Sequence, residues 1–98
     1  MNKARRKRIA VICKQLEELK ERISELEELK AEIEELQGEE QEAFDNLPEG
    51  IQLADRGQAM EQAADALGDA ADQLDEMISN ASDNIDEVLT ALGSASGE

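Results

Sequence analysis

The stretch Gly57–Leu92, GQAMEQAADALGDAADQLDEMISNASDNIDEVLTAL, decides the fold. Met60, Ala64, Leu67, Ala71, Leu74, Ile78, Ala81, Ile85, Val88 and Leu92 follow one another at alternating steps of four and three, which lines them along one seam of a helix. Glu61, Asp65, Asp69, Asp72, Asp75, Glu76, Asp83, Asp86 and Glu87 occupy its other faces, and no Lys or Arg follows Arg56. The stretch is therefore a long amphipathic helix with one apolar seam and one strongly negative surface.

Upstream lies a second seam. Ile9, Ile12, Leu16, Leu19, Ile23 and Leu26 step by three and four and define a first helix over about residues 3–44. Lys30 and Gln37 take later seam positions, while Leu29 and Leu36 widen the apolar stripe to one side. Ala63, Ala70, Met77 and Ala91 widen the second helix in the same way. Gly38 is a candidate kink. Asp45-Asn46-Leu47-Pro48-Glu49-Gly50 surrounds the only proline and breaks the helical pattern, giving a turn over about 45–55 with Phe44, Ile51 and Leu53 plugging the end of the bundle. Asp55 is a candidate cap for a second helix over about 56–92, and residues 93–98 read as a frayed tail.

Two such helices joined by a short turn predict a single domain, 1–98: an all-α antiparallel helical hairpin with a coiled-coil-like seam. Facing residues should have numbers adding to roughly 100 in this geometry, so Ile12 meets Val88, Leu16 meets Ile85, Leu19 meets Ala81, Ile23 meets Ile78, Leu26 meets Leu74 and Ile33 meets Leu67. Lys30 would stand opposite Ala71, its stem running toward Asp72 or Asp75. The same register sets Lys3, Arg5, Arg6, Lys7 and Arg8 beside Asp86 and Glu87, near the negative end of the second helix dipole. That pairing is favoured over a nucleic-acid role for the basic cluster, because the segment after it is strongly acidic. A lone hairpin leaves Leu29, Leu36, Ala63, Ala70 and Met77 wet, with Leu89 on the opposite flank. These six are the candidate interface of a homodimer forming a four-helix bundle; the alternative is an elongated monomer that docks directly on a partner.

Composition bounds the function. A formal net charge of −15, from 25 acids and 10 bases, repels nucleic acid and anionic membranes and favours a basic protein surface as partner. Cys13, the single cysteine, cannot close an internal disulfide, and the apolar run after Arg8 is too short for a signal-peptide core or a span, so a cytoplasmic protein is expected. No histidine is present, which removes the usual general base and the commonest metal ligand. The helical spacing of Asp65, Asp69, Asp72, Asp75 and Glu76 does not make a calcium loop, and Cys13 has no base to orient it. Neither catalytic residues, nor a cofactor site, nor a metal site is expected, and the chain is read as a non-enzyme.

The basic, Glu/Leu-rich first helix, the turn Phe44–Gly50, the Arg56-Gly57 start and the acidic helix ending Val88-Leu89-Thr90-Ala91-Leu92 resemble small acidic helical proteins of phages and prophages of Gram-positive bacteria. The resemblance implies an accessory phage protein acting in the host cytoplasm, a class in which some members block host defence nucleases through acidic surfaces, as certain anti-CRISPR and DNA-mimic proteins do. Charge density bears on that comparison. Nine acids along a helix of roughly 54 Å give about one charge per 6 Å, against about one per 1.7 Å for duplex DNA. A monomer is a dilute mimic and a dimer a closer one.

Three functions are thus open. The first is an acidic helical surface, Asp65, Asp69, Asp72, Asp75, Glu76, Asp83, Asp86 and Glu87, that binds a basic surface on a host protein such as a nuclease. The second is a structural scaffold whose acids only keep it soluble. The third, a small-molecule-sequestering protein, would need a pocket of convergent polar groups.

Overall fold

Asn2 sets the start of the first helix. Its side-chain oxygen accepts a hydrogen bond from the backbone N–H of Arg5 at 2.8 Å, satisfying a donor that has no partner inside the helix. The computed structural model, which describes residues 1–97, then runs as α1 (Lys3–Asp45), α2 (Glu49–Gln52) and α3 (Asp55–Ser96), with no strand among the described residues. Gly38 neither breaks nor ends α1, and Gly93–Ser96, the first part of the tail 93–98 expected to fray, continue α3, while Glu98 lies outside the described residues. Asp55 is the first residue of α3 itself, and the expected turn over 45–55 contains the one-turn helix α2.

The chain divides into two compact units. Unit 2, residues 27–76, holds the turn. Pro48 ends the run from α1, and its carbonyl accepts from the backbone N–H groups of Ile51 and Gln52 to start α2. The Gln52 amide reaches back to the carbonyls of Phe44 and Asp45 at 3.2 and 3.4 Å, capping acceptors that α1 leaves open at its C-terminus. Gly57 is buried, and a Cβ there would stand 2.5 Å from the carbonyl oxygens of Ile51 and Gln52. Only glycine allows α2 to close so tightly on the start of α3. Ala64 and Ala71 continue the buried line from Gly57 at heptad spacing, 1% and 3% exposed.

Across unit 2, Lys30 bonds Asp75 at 2.9 Å and the Gln37 amide lies over Gly68. These contacts run in opposite sequence order on α1 and α3. Asp75 is one of the two partners expected for the Lys30 stem, but the register differs from the anticipated one, since Gln37 meets residue 68 rather than residue 63. The shift is about one helical turn. Its cause is the turn, whose α2 segment sets where α3 begins.

Unit 1, residues 1–26 and 77–98, joins Lys20 to Asp86 by an ion pair. Ile78, 7% exposed, is its buried residue. The protected line on α1 is Ile9, Cys13, Leu16, Lys20 and Ile23, not the expected Ile9, Ile12, Leu16, Leu19 and Ile23. Ile12 and Leu19 are 45% and 51% exposed. On α3 of the same unit Leu89 is half-buried while Val88 is 46% exposed, the reverse of the seam expected there.

Candidate functional site

The heptad fixes where charge falls. With Ile23 of α1 and Ile78 of α3 as position a, the acids of α3 occupy b, c, e and f, and none occupies a, d or g between Met60 and Ala91. Asp65, Asp69, Asp72, Asp75 and Glu76 in unit 2 and Asp83, Asp86 and Glu87 in unit 1 are all exposed. Two of them are held by lysines of α1. Asp75 accepts from Lys30, which also lies 3.5 Å from Glu34, and Asp86 accepts from Lys20. Asp65, Asp69, Asp72, Glu76, Asp83 and Glu87 have no cation within ion-pair distance among the described residues.

Lys30 sits at position a with its stem half-buried. Its hydrogen bond to Asp75 raises its pKa above the ordinary lysine value; partial burial opposes the shift, and the charges of Asp75 and Glu34 add to it. The lysine stem thus fills an apolar position while its ammonium reaches the acidic flank.

The apolar residues are on the other flank. In unit 1, Leu89 shares a hollow with Glu17, Lys20 and Glu21 on the side of the Lys20–Asp86 pair. Ile12, Leu19 and Val88 each precede by one residue a group on that side or in the protected line (Cys13, Lys20 and Leu89), and one residue is a turn of about 100° round a helix. Because the contacts run in opposite sequence order, that step carries all three to the opposite flank. In unit 2, Leu29 and Leu36, 50% and 52% exposed, occupy position g on the flank away from Lys30 and Asp75, as do the exposed Ala63 and Ala70. Met77, 50% exposed, holds the same position in unit 1.

Of the six residues expected at an oligomer interface, Leu29, Leu36, Ala63, Ala70 and Met77 are therefore exposed. Leu89 is half-buried against its own α1. Ile12, Leu19 and Val88 were missed, because their apolar character at a strict heptad spacing placed them in the seam. The signal that finds them is the absence of acid from positions d and g.

The basic cluster is also placed differently from expectation. Lys3, Arg5, Arg6, Lys7 and Arg8 are exposed and make no ion pair among the described residues, while Asp86 is taken by Lys20. Cys13 is half-buried with a free thiol in the protected line. Among the described residues no three His, Cys, Asp or Glu side chains gather as metal ligands, and no helix is long and apolar enough to cross a membrane.

No protein-family model matches this chain, and no curated protein or solved structure shows significant similarity to it. The flanks must be interpreted from their own chemistry.

Proposed function

We propose that the chain is an antiparallel helical hairpin that pairs with a second copy into a four-helix bundle and presents the acidic flank of α3 to a basic surface of another protein. The observation that carries this reading is segregation. Six exposed acids lack cationic partners among the described residues, and five of them, Asp65, Asp69, Asp72, Glu76 and Asp83, stand at positions b and f, away from position g, where Leu29, Leu36 and Met77 are exposed; Glu87, at c, lies nearer to g. On α3, acids needed only for solubility have no reason to leave position g empty from Met60 to Ala91, whereas on α1 Glu32, Glu35 and Glu39 do gather round Leu36. Uncompensated charges on a helical surface attract a basic groove and gain specificity and on-rate from it. Basic surfaces of this kind belong above all to proteins that handle nucleic acid, and the resemblance to phage accessory proteins makes a host nuclease the first such partner to test.

The test uses the variant Asp65→Asn, Asp69→Asn, Asp72→Asn, Glu76→Gln, which leaves both lysine pairs intact. Wild type immobilised at 50 mM salt should retain basic nucleic-acid-binding proteins from bacterial lysate, displace duplex from those proteins once purified, and release them at 500 mM salt. The neutralised variant should do neither while keeping its helix content and melting temperature. Equal retention and displacement by the variant would replace this reading with the scaffold one, which the exposed leucines favour.

A further inference from the structure

The side of α1 whose d and g positions hold no acid before Glu40 is not neutral along its length, and its charge pattern names its occupant. Positions d and g of α1 from Arg5 to Leu36 read Arg5, Arg8, Ile12, Gln15, Leu19, Arg22, Leu26, Leu29, Ile33 and Leu36, and the first acid among them is Glu40. Arg22 and Glu25 with Leu19 and Leu26 line one open hollow here, Arg5 and Arg8 with Ile12 line another, and Glu32, Glu35 and Glu39 surround Leu36 in a third. Around these positions α1 is polarised. Residues 1–26 hold eight Lys or Arg and four Glu, whereas residues 27–45 hold one Lys and nine Asp or Glu.

A complementary partner must therefore be apolar in the middle, acidic where it meets residues 1–26 and basic where it meets residues 27–45. A second α1 laid antiparallel meets all three conditions. A parallel one sets the basic ends together and the acidic ends together, and fails. The chain also has surface to cover. Its accessible area is 7207 Å² at 10.8 kDa. A folded monomer of that mass exposes about 5,500 Å², so roughly 1,700 Å² is in excess, against about 800 Å² per copy in a standard interface.

We infer that the d and g side of α1 docks on the same side of a second copy of this chain, with the two α1 helices antiparallel. Pairing position d of one copy with position g of the other aligns the exposed apolar residues in one register, Ile12 with Leu36 of the partner subunit and Leu19 with Leu29 of the partner subunit, and sets Arg8 against the half-buried Glu40 of the partner subunit. The interface is isologous, so each contact occurs twice. The inference rests on the two-copy assembly proposed above and gives it direction and residues; Leu89 has no part in it.

The experiment separates the two claims. Sedimentation of the full chain from 1 to 300 μM should show a dimer, and a monomer throughout would overturn assembly and orientation together, leaving the flank to a foreign protein. For orientation, Leu19→Cys and Leu29→Cys are made separately in a Cys13→Ala background and oxidised mildly, alone and mixed. Antiparallel docking predicts a disulfide-linked pair in the mixture and little in either variant alone, because only unlike cysteines come within bonding reach. Like-to-like crosslinking in a dimeric chain would overturn the orientation and spare the assembly. Charge provides the second measurement. Arg8→Glu should weaken the dimer by about tenfold, and Arg8→Glu with Glu40→Arg should restore most of that loss. A double variant no tighter than the single would overturn the register.

Discussion

The two units use one heptad code to different ends. In unit 2 the inner line of α3 is Gly57, Ala64 and Ala71, small enough for the backbones to approach closely, and Phe44 and Leu47 are half-buried at the turn end, while Ile51 and Leu53, expected to plug it with Phe44, are 40% and 74% exposed. In unit 1 larger residues are available, yet Cys13 and Lys20 take inner positions while Ile12, Leu19 and Val88 remain outside. Both sequences have the same apolar periodicity. A stripe of apolar residues wider than one helix contact defines two possible seams, and unit 1 keeps the second seam exposed. Close packing is thus the contribution of unit 2, and an available surface that of unit 1.

The sharpest way to break that contrast lies at Gly57. Gly57→Ala drives a methyl group into the Ile51 and Gln52 carbonyls and should destabilise the chain by about 1–3 kcal/mol in thermal unfolding followed by circular dichroism. Gly68→Ala, in the same helix and unit, meets only the end of the flexible Gln37 side chain. Its better helix propensity, worth about 0.5–1 kcal/mol, should leave it neutral or slightly stabilised. Equal effects at both sites would mean that the turn is not held by a close approach at Gly57.

Unit 1 is tested by a pair of isoleucines. Ile78→Ala should cost about 2–4 kcal/mol, since Ile78 is the buried residue there. Ile12→Ala should change stability by less than about 0.5 kcal/mol in protein dilute enough to be monomeric. If Ile12→Ala proves as costly as Ile78→Ala under those conditions, Ile12 belongs to the inner seam and the apolar flank of unit 1 does not exist.

Much of this was legible in the residues. The steps of four and three located α3 and its buried Ala64, Ala71 and Ile78, Pro48 located the break, and the acids fell where a helix wheel places them. Three things were not legible, each for a physical reason. Periodicity gives the position and width of an apolar stripe but not which edge turns inward, so Ile12 and Leu19 were assigned to a seam that Cys13 and Lys20 occupy. Lys20 itself misleads, because its four methylenes pack like a hydrophobe while its ammonium reaches Asp86. Register depends on how many residues the turn consumes, and α2 with the Gly57 contact resets it by about one helical turn. The end of α3 was missed because Gly93 and the serines after it are poor helix formers, whereas Ala95 and Ser96 are half-buried and pack as a continuation of the helix.

The smallest expected effect concerns the lysines that tie α1 to the acidic flank. The hydrogen bond to Asp75 raises the Lys30 pKa in the folded chain above the unfolded value of about 10.4. A group whose folded pKa is raised stabilises the fold fully below its unfolded pKa and loses that contribution as pH rises through the folded one. The contribution of Lys30 should therefore be constant from pH 7 to about 10 and disappear only above that. Its magnitude is small, because the partner Asp75 is 61% exposed and water screens the pair. Global repulsion in this acidic chain also changes with pH, so the measurement is a difference. Melting temperatures of wild type and Lys30→Met are compared at pH 8, 10 and 11.5. The lead of wild type at pH 8 should persist at pH 10 and vanish by pH 11.5, when the uncharged Lys30 no longer donates from an ammonium. A gap that stays constant across this range would mean that Lys30 acts through its aliphatic stem alone, and that the acidic flank is joined to α1 by packing and not by charge.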